Sequence, residues 1–278
     1  MSWITGGSEA CMREPSPRKS GLPSRLALPS LPQFALYLMC VLLFTVSVNG
    51  VGVSPGDLVT EIPHMGRILS EMVPPDLNRL QAMARALVET FQMALVGAVF
   101  GVAMSVPLAI FASRTHTPHP LLYHAARLLV SLFRTVPDLV WALFFVASVG
   151  LGPFAGALAI MIDTVGFCGR FFAEAMEEVD RGPQEALKAL GAGRQAIVVC
   201  AVLPAALPSF INTSLFSLEK GTRASVVLGL VGAGGIGIEL KAAMDMFRYD
   251  QAATTILMIL ALVVVVEHIS TAIRRRVM

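Results

Sequence analysis

The chain has 278 residues, of which 55% are hydrophobic and only 14% charged, with a mean hydropathy of +0.70 and a formal net charge of +2. A water-soluble domain carries roughly a quarter charged residues to wet its surface, so this composition excludes a chain solvated by water alone. The small net charge also gives no electrostatic footprint for nucleic acid. The fold class implied is an all-α integral membrane protein in a lipid bilayer.

Residues 1–31 are rich in Ser, Pro and Arg and read as a disordered tail. Residues 34–53 are uncharged and long enough to cross a hydrocarbon core of about 30 Å as a retained first helix. Charged residues and four prolines return over 54–86, so 32–84 reads as a first helix with an external segment. The second span is expected near 88–112, kinked by Pro107. A loop bearing Arg114, His116, His119, His124 and Arg127 follows. Its histidines lack the cysteine or carboxylate partners of a metal site.

The third span is expected at 126–149 and the fourth at 153–173, joined by the tight turn Gly150-Leu151-Gly152-Pro153. A polar, helix-forming stretch occupies 174–197, and the fifth span about 198–218. Residues 219–250 are mixed, with a glycine-rich centre, and a sixth span at about 251–270 ends before Arg274, Arg275 and Arg276. About six transmembrane helices result. Basic residues are more numerous in the segments that face the cytoplasm when the amino terminus is inside, which predicts both termini in the cytoplasm. Cys11, Cys40, Cys168 and Cys200 have no disulfide-framework or metal spacing and read as inert thiols.

The most informative stretch is 182–208. Pro183 suits a first helical turn, where a missing N–H has no partner to lose. Glu185 lies near the positive end of the helix dipole. Gly191 is suited to stop the helix in a left-handed conformation. The expected element is a two-turn helix over 183–190 with Ala186, Leu187 and Leu190 on one face. So short a helix is unstable alone, and at a membrane surface it forms a knob for a partner's groove.

Glu185-Ala186, a glycine six residues after that glutamate (Gly191), and Leu203-Pro204 twelve residues further on resemble the cytoplasmic coupling loop of binding-protein-dependent ABC permeases. Leu187 and Ala201 depart from that pattern without changing the helix's character. Residues 134–159, 172–192 and 227–237 are similar to the phosphonate-type permeases, a family that also includes permeases for phosphite. At 167–170, Phe-Cys-Gly-Arg stands where a Gly-Lys pair is expected, keeping glycine and positive charge. The resemblance covers roughly 85–275 and implies a type I importer transmembrane domain with the MetI-like fold, its coupling loop at 174–204. It also implies an inner-membrane complex of two permease copies, two cytoplasmic ATPase subunits and a periplasmic binding protein. The cargo it implies is a small phosphorus oxyanion of the phosphonate or phosphite class. No phosphate-binding G-x-x-x-x-G-K-[ST] loop occurs in the chain, so the energy for transport comes from a partner or an ion gradient. In the importer that the resemblance implies, ATP hydrolysis is on a partner chain. No cofactor is expected.

Gly232, Gly234 and Gly237 spell the dinucleotide fingerprint G-x-G-x-x-G, which would suit a membrane oxidoreductase. That fingerprint requires a βαβ setting, whereas here, with Gly235, it lies between apolar runs and reads as a close helix approach or a turn near the pathway. Arg134 and Asp138, four residues apart across Pro137, are costly in lipid. They read either as pathway residues for an anion or as an ion pair with each other. Asp163 would repel an anion, and Glu219, Lys220 and Arg223 form a second candidate pathway or gate. An ATP-independent secondary transporter or channel for a small anion is the alternative function.

Overall fold

The computed structural model describes residues 31–52 and 55–277. The amino-terminal tail expected over 1–31 thus lies almost wholly outside the described residues. Every regular element among them is helical.

Two compact units divide the chain between Ile62 and Pro63. In the first, α1 (Leu31–Val51) has no charged residue and no buried one. A helix apolar on every side and covered by nothing has lipid as its natural solvent. The second helix, α2 (Pro55–Glu71), crosses the division between the units.

The second unit is built on three long helices, α3 (Leu80–Ala112), α6 (Pro153–Glu178) and α9 (Leu203–Leu230). Lipid supplies no hydrophobic drive for helices to associate, so the seams rest on small residues and close packing. Gly97 and Gly101 of α3 sit against Ala157, Ile160 and Thr164 of α6. A Cβ on Gly101 would lie 2.5 Å from the Thr164 Cβ. Hydroxyls join the three helices: Ser105 of α3 reaches the Thr164 carbonyl of α6 at 3.5 Å, and Ser217 of α9 donates to Thr164 Oγ1 at 3.1 Å. Nearer one end, Phe172 of α6 stacks on Phe210 of α9 at 4.1 Å between ring centroids.

The expected third span is a correction. Two helices, α4 (Pro120–Thr135) and α5 (Asp138–Val149), meet there at 90°. Pro137 has no N–H to continue the helix, and its ring pushes the preceding residue toward extended geometry. Val136 adopts it, with φ −79° and ψ 123°. Among the described residues five helices are long and apolar enough to cross a membrane, and the bent pair makes a sixth crossing if it counts as one.

The fifth span is also longer than expected. Helical backbone runs from Arg194 to Leu230 through α8 (Arg194–Ile197), a π turn (Val198–Val202) and α9. Lys220 and Arg223, which the expected bounds place beyond the fifth span, therefore lie within α9. After a glycine-rich turn, α10 (Ile236–Asp245) and α11 (Tyr249–Val277) complete the unit. The start of α11 is held beside the entry to α3, where Gln251 Nε2 donates to Asp76 Oδ2 at 3.1 Å and Thr254 Oγ1 to the Asp76 carbonyl at 2.7 Å.

Candidate coupling surface and translocation path

The short helix α7 (Arg181–Ala189) follows α6 directly. Asp180 caps it, its carboxylate accepting from the Gly182 N–H at 3.2 Å, a contact worth about 1 kcal/mol to a helix end. Pro183 falls in the first turn and Lys188 in the last, each where the helix termini favour it. Gly191 stops the helix with φ +81°. Glu185, Ala186 and Leu190 are exposed, Leu190 to 83%, while Leu187 is half-buried against the chain. Leu190, the C-cap, is thus the most exposed large apolar side chain at this end of α7.

Beneath α7 lies a cleft of ≈ 470 Å³, lined among others by His116, Glu177, Gln184, Glu185, Lys188 and Arg194. Arg194 Nη2 donates to the Thr115 carbonyl at 3.1 Å, joining α8 to the 113–119 loop. Glu177, near the end of α6, accepts from the Arg114 N–H at 2.6 Å and from Arg127 Nη2 at 3.2 Å. Burial pushes the His116 imidazole below its ordinary value near 6.5, an effect opposed by its 3.4 Å contact with the Met176 carbonyl. The sequence reading missed Asp180, Glu177 and Arg194. Only Asp180, an N-cap residue type directly before a helix bearing an early proline, left a readable signal.

The far end of the loop is Leu203-Pro204. Pro204 cannot donate a helical hydrogen bond, and its ring crowds the preceding turn. The backbone widens just before it, with the Leu203 N–H reaching the Val198 carbonyl five residues back. Leu203 is half-buried and Pro204 exposed.

The interior charges are paired between helices. Lys220 Nζ on α9 lies 2.7 and 2.8 Å from the two carboxylate oxygens of Asp163 on α6. Glu219, one residue earlier, pairs with Arg274 of α11. Asp163, unexplained by the sequence, is the counter-ion of Lys220. Arg223 is exposed and makes no ion pair among the described residues.

Arg134 and Asp138 do not pair. Asp138 opens α5, where its Oδ1 accepts from the Leu139 N–H at 3.0 Å, near the positive end of that helix dipole. The Arg134 guanidinium lies 5.7 Å from the Phe171 ring centroid.

The glycine-rich segment is a turn between helices. Gly232, Gly234 and Gly235 have positive φ, and Thr90 Oγ1 of α3 accepts from the Ile236 N–H at 2.7 Å. Gly237 packs against α9: a Cβ there would lie 2.2 Å from the Val226 carbonyl oxygen and 2.7 Å from the Gly229 Cα. This helix–turn–helix setting has no strand and excludes the dinucleotide reading. With Glu89, Leu151 and Lys241, Gly232 and Gly234 line a cleft of ≈ 720 Å³ at the end of the bundle away from α7.

Close-packed spanning helices, interhelical ion pairs inside, and a short unpartnered helix at one end together define a multi-pass membrane transport subunit that works through a partner. The chain belongs to the family described as the binding-protein-dependent transport system inner membrane component, whose model matches residues 105–278. It is 38% identical over 218 residues to the phosphite transport system permease protein PtxC of Stutzerimonas stutzeri, covering 78% of this chain and 79% of that protein. It is also 38% identical over 215 residues to the phosphate-import permease protein PhnE of Mycolicibacterium smegmatis, covering 77% of this chain and 40% of that one. In structure it matches a chain of the MetNI methionine ABC transporter, solved in inward-facing conformations. The TM-score is 0.65 at 25% identity, covering 73% of this chain and 99% of that one. The chain is therefore a permease subunit of an ATP-binding-cassette importer, and not an enzyme.

Proposed function

We propose that this permease imports a small phosphorus oxyanion of the phosphite or phosphonate class. The observation that carries this reading is the 38% identity, over most of both chains, to a permease named for phosphite. Two copies of the subunit form the path, two cytoplasmic ATPase subunits drive it, and a periplasmic binding protein delivers the ligand. Both termini face the cytoplasm, and α7 seats in the ATPase cleft. The exposure of Ala186 and Leu190 and the left-handed stop at Gly191 support that seating.

The test is uptake into proteoliposomes holding the complete complex, with ATP on the ATPase side and the binding protein outside. Labelled phosphite, methylphosphonate and phosphate are offered in turn, with methionine as the comparison. ATP-dependent accumulation of one phosphorus oxyanion and not of methionine is expected. Accumulation of none of the three, in a complex whose ATPase responds to another ligand, overturns the assignment.

A further inference from the structure

A third cleft, of ≈ 480 Å³, opens between α4 and α6 close to the α7 end of the bundle, and its charged lining is cationic throughout: Arg127, Arg134 and Arg170. Two of these guanidiniums are engaged by carboxylates. Arg127 is held by Glu177 and by the Ala112 carbonyl, with its Nε 3.0 Å from that oxygen. Arg170 gives its Nε to Glu174 at 2.7 Å. Arg134 has no carboxylate and no hydrogen bond among the described residues, only the face of Phe171. The cleft therefore carries one uncompensated positive charge beside further free donors. A guanidinium has five N–H donors, so Arg170 keeps both of its terminal nitrogens available. Ser131 stands three residues before Arg134 in the same lining, and its hydroxyl has no partner among the described residues.

Planar guanidiniums grip tetrahedral phosphorus oxyanions through paired hydrogen bonds, and a hydroxyl completes such a cradle. An unpaired arginine on a helix of a membrane bundle is otherwise a standing cost. We propose that Arg134, Arg170 and Ser131 form a binding site for a phosphorus oxyanion at the α7 end of the bundle. It is a station that holds the anion next to the coupling machinery. The transported ion and a phospholipid headgroup share this chemistry, and identifying the occupant as cargo rests on the function proposed above.

The experiment uses the complete complex with its ATPase, purified in a phosphorus-free maltoside detergent. Inorganic phosphite is titrated and followed by 31P line broadening, co-purified phospholipid is read by native mass spectrometry, and uptake is measured in parallel. Wild type is expected to broaden the phosphite line. Arg134→Gln and Ser131→Ala are expected to assemble with the ATPase, with Arg134→Gln weakening phosphite binding at least about tenfold and Arg134→Lys restoring part of it. Retention of anionic phospholipid by wild type, lost in Arg134→Gln, supports the site with a headgroup as occupant. If Arg134→Gln binds phosphite and phospholipid as wild type does, the site is overturned even where uptake of phosphite proceeds. Failure of wild type to take up any phosphorus oxyanion strikes the function instead, and leaves the binding arms to judge the site.

Discussion

Asp163 and Lys220 stand 57 residues apart in sequence, yet the lysine ammonium bridges both oxygens of the carboxylate across the seam between α6 and α9. Neither charge is stable alone inside a membrane bundle. Removing one partner of such a pair leaves the other uncompensated, whereas removing both is far milder. Asp163→Asn and Lys220→Met should each lower the amount of folded permease recovered in mild detergent, and the double variant should recover most of it. Equal loss in the double variant would show that the charges act separately.

The helix approach at Gly237 leaves no room for a methyl group, because its would-be neighbours are backbone atoms of Val226 and Gly229. Overpacking of a rigid seam typically destabilises by about 1–3 kcal/mol. Gly237→Ala should lower the thermal midpoint of the purified subunit. Gly193→Ala, whose added Cβ meets nothing within 4 Å, should leave it unchanged. Light-scattering melts in one detergent compare the two.

Gly191 tests the coupling surface. The position is open, so a side chain there clashes with nothing, but the left-handed backbone disfavours any residue with a Cβ by roughly 1–2 kcal/mol. Gly191→Asp, and Glu185→Lys on the exposed face, should leave the permease inserted. Co-purification of the ATPase, or the stimulation of its hydrolysis by the loaded binding protein, should be lost. Full stimulation in both variants would move the coupling site elsewhere.

His116 gives this end of the molecule a pH dependence. Its folded-state value is lowered from 6.5 by burial, so below that pH the unfolded chain takes up a proton that the folded chain resists. Stability from the neutral imidazole is thus fully present above about pH 6.5 and is lost as pH falls through the folded value. Thermal midpoints of wild type should fall more steeply than those of His116→Gln below that pH. Parallel curves would remove His116 as the cause.

The spans are legible in sequence where apolar runs are unbroken, as in α1, and where a glycine turn precedes a proline, as at Gly152-Pro153. The short helix α7 is legible for a local reason, since Pro183 and Gly191 mark its two ends by backbone chemistry alone. What resists reading is tertiary. Lys220 and Arg223 interrupt the hydropathy of α9 without interrupting its helix, because Asp163 neutralises the lysine from a segment far away in sequence. The four-residue spacing of Arg134 and Asp138 suggests contact on a continuous helix. The right-angled break at Pro137 separates them and hands Asp138 to the start of α5. The cationic cleft draws Arg127 and Arg134 from α4 and Arg170 from α6, a convergence that no local pattern encodes.

The widened turn at Val198–Val202 also sets a phase. A π turn holds one residue more than the α-helical turn it replaces, and each residue of an α-helix advances the backbone by about 100°. The short α8 before Val198 is thereby rotated about the axis of α9 by that increment relative to an uninterrupted helix. Deleting a single residue within 198–202 would leave α9 and its ion pairs intact and turn Arg194 away from the Thr115 carbonyl it now holds. The bearing of α8 against the 113–119 loop is thus written in the count of residues between Arg194 and Pro204.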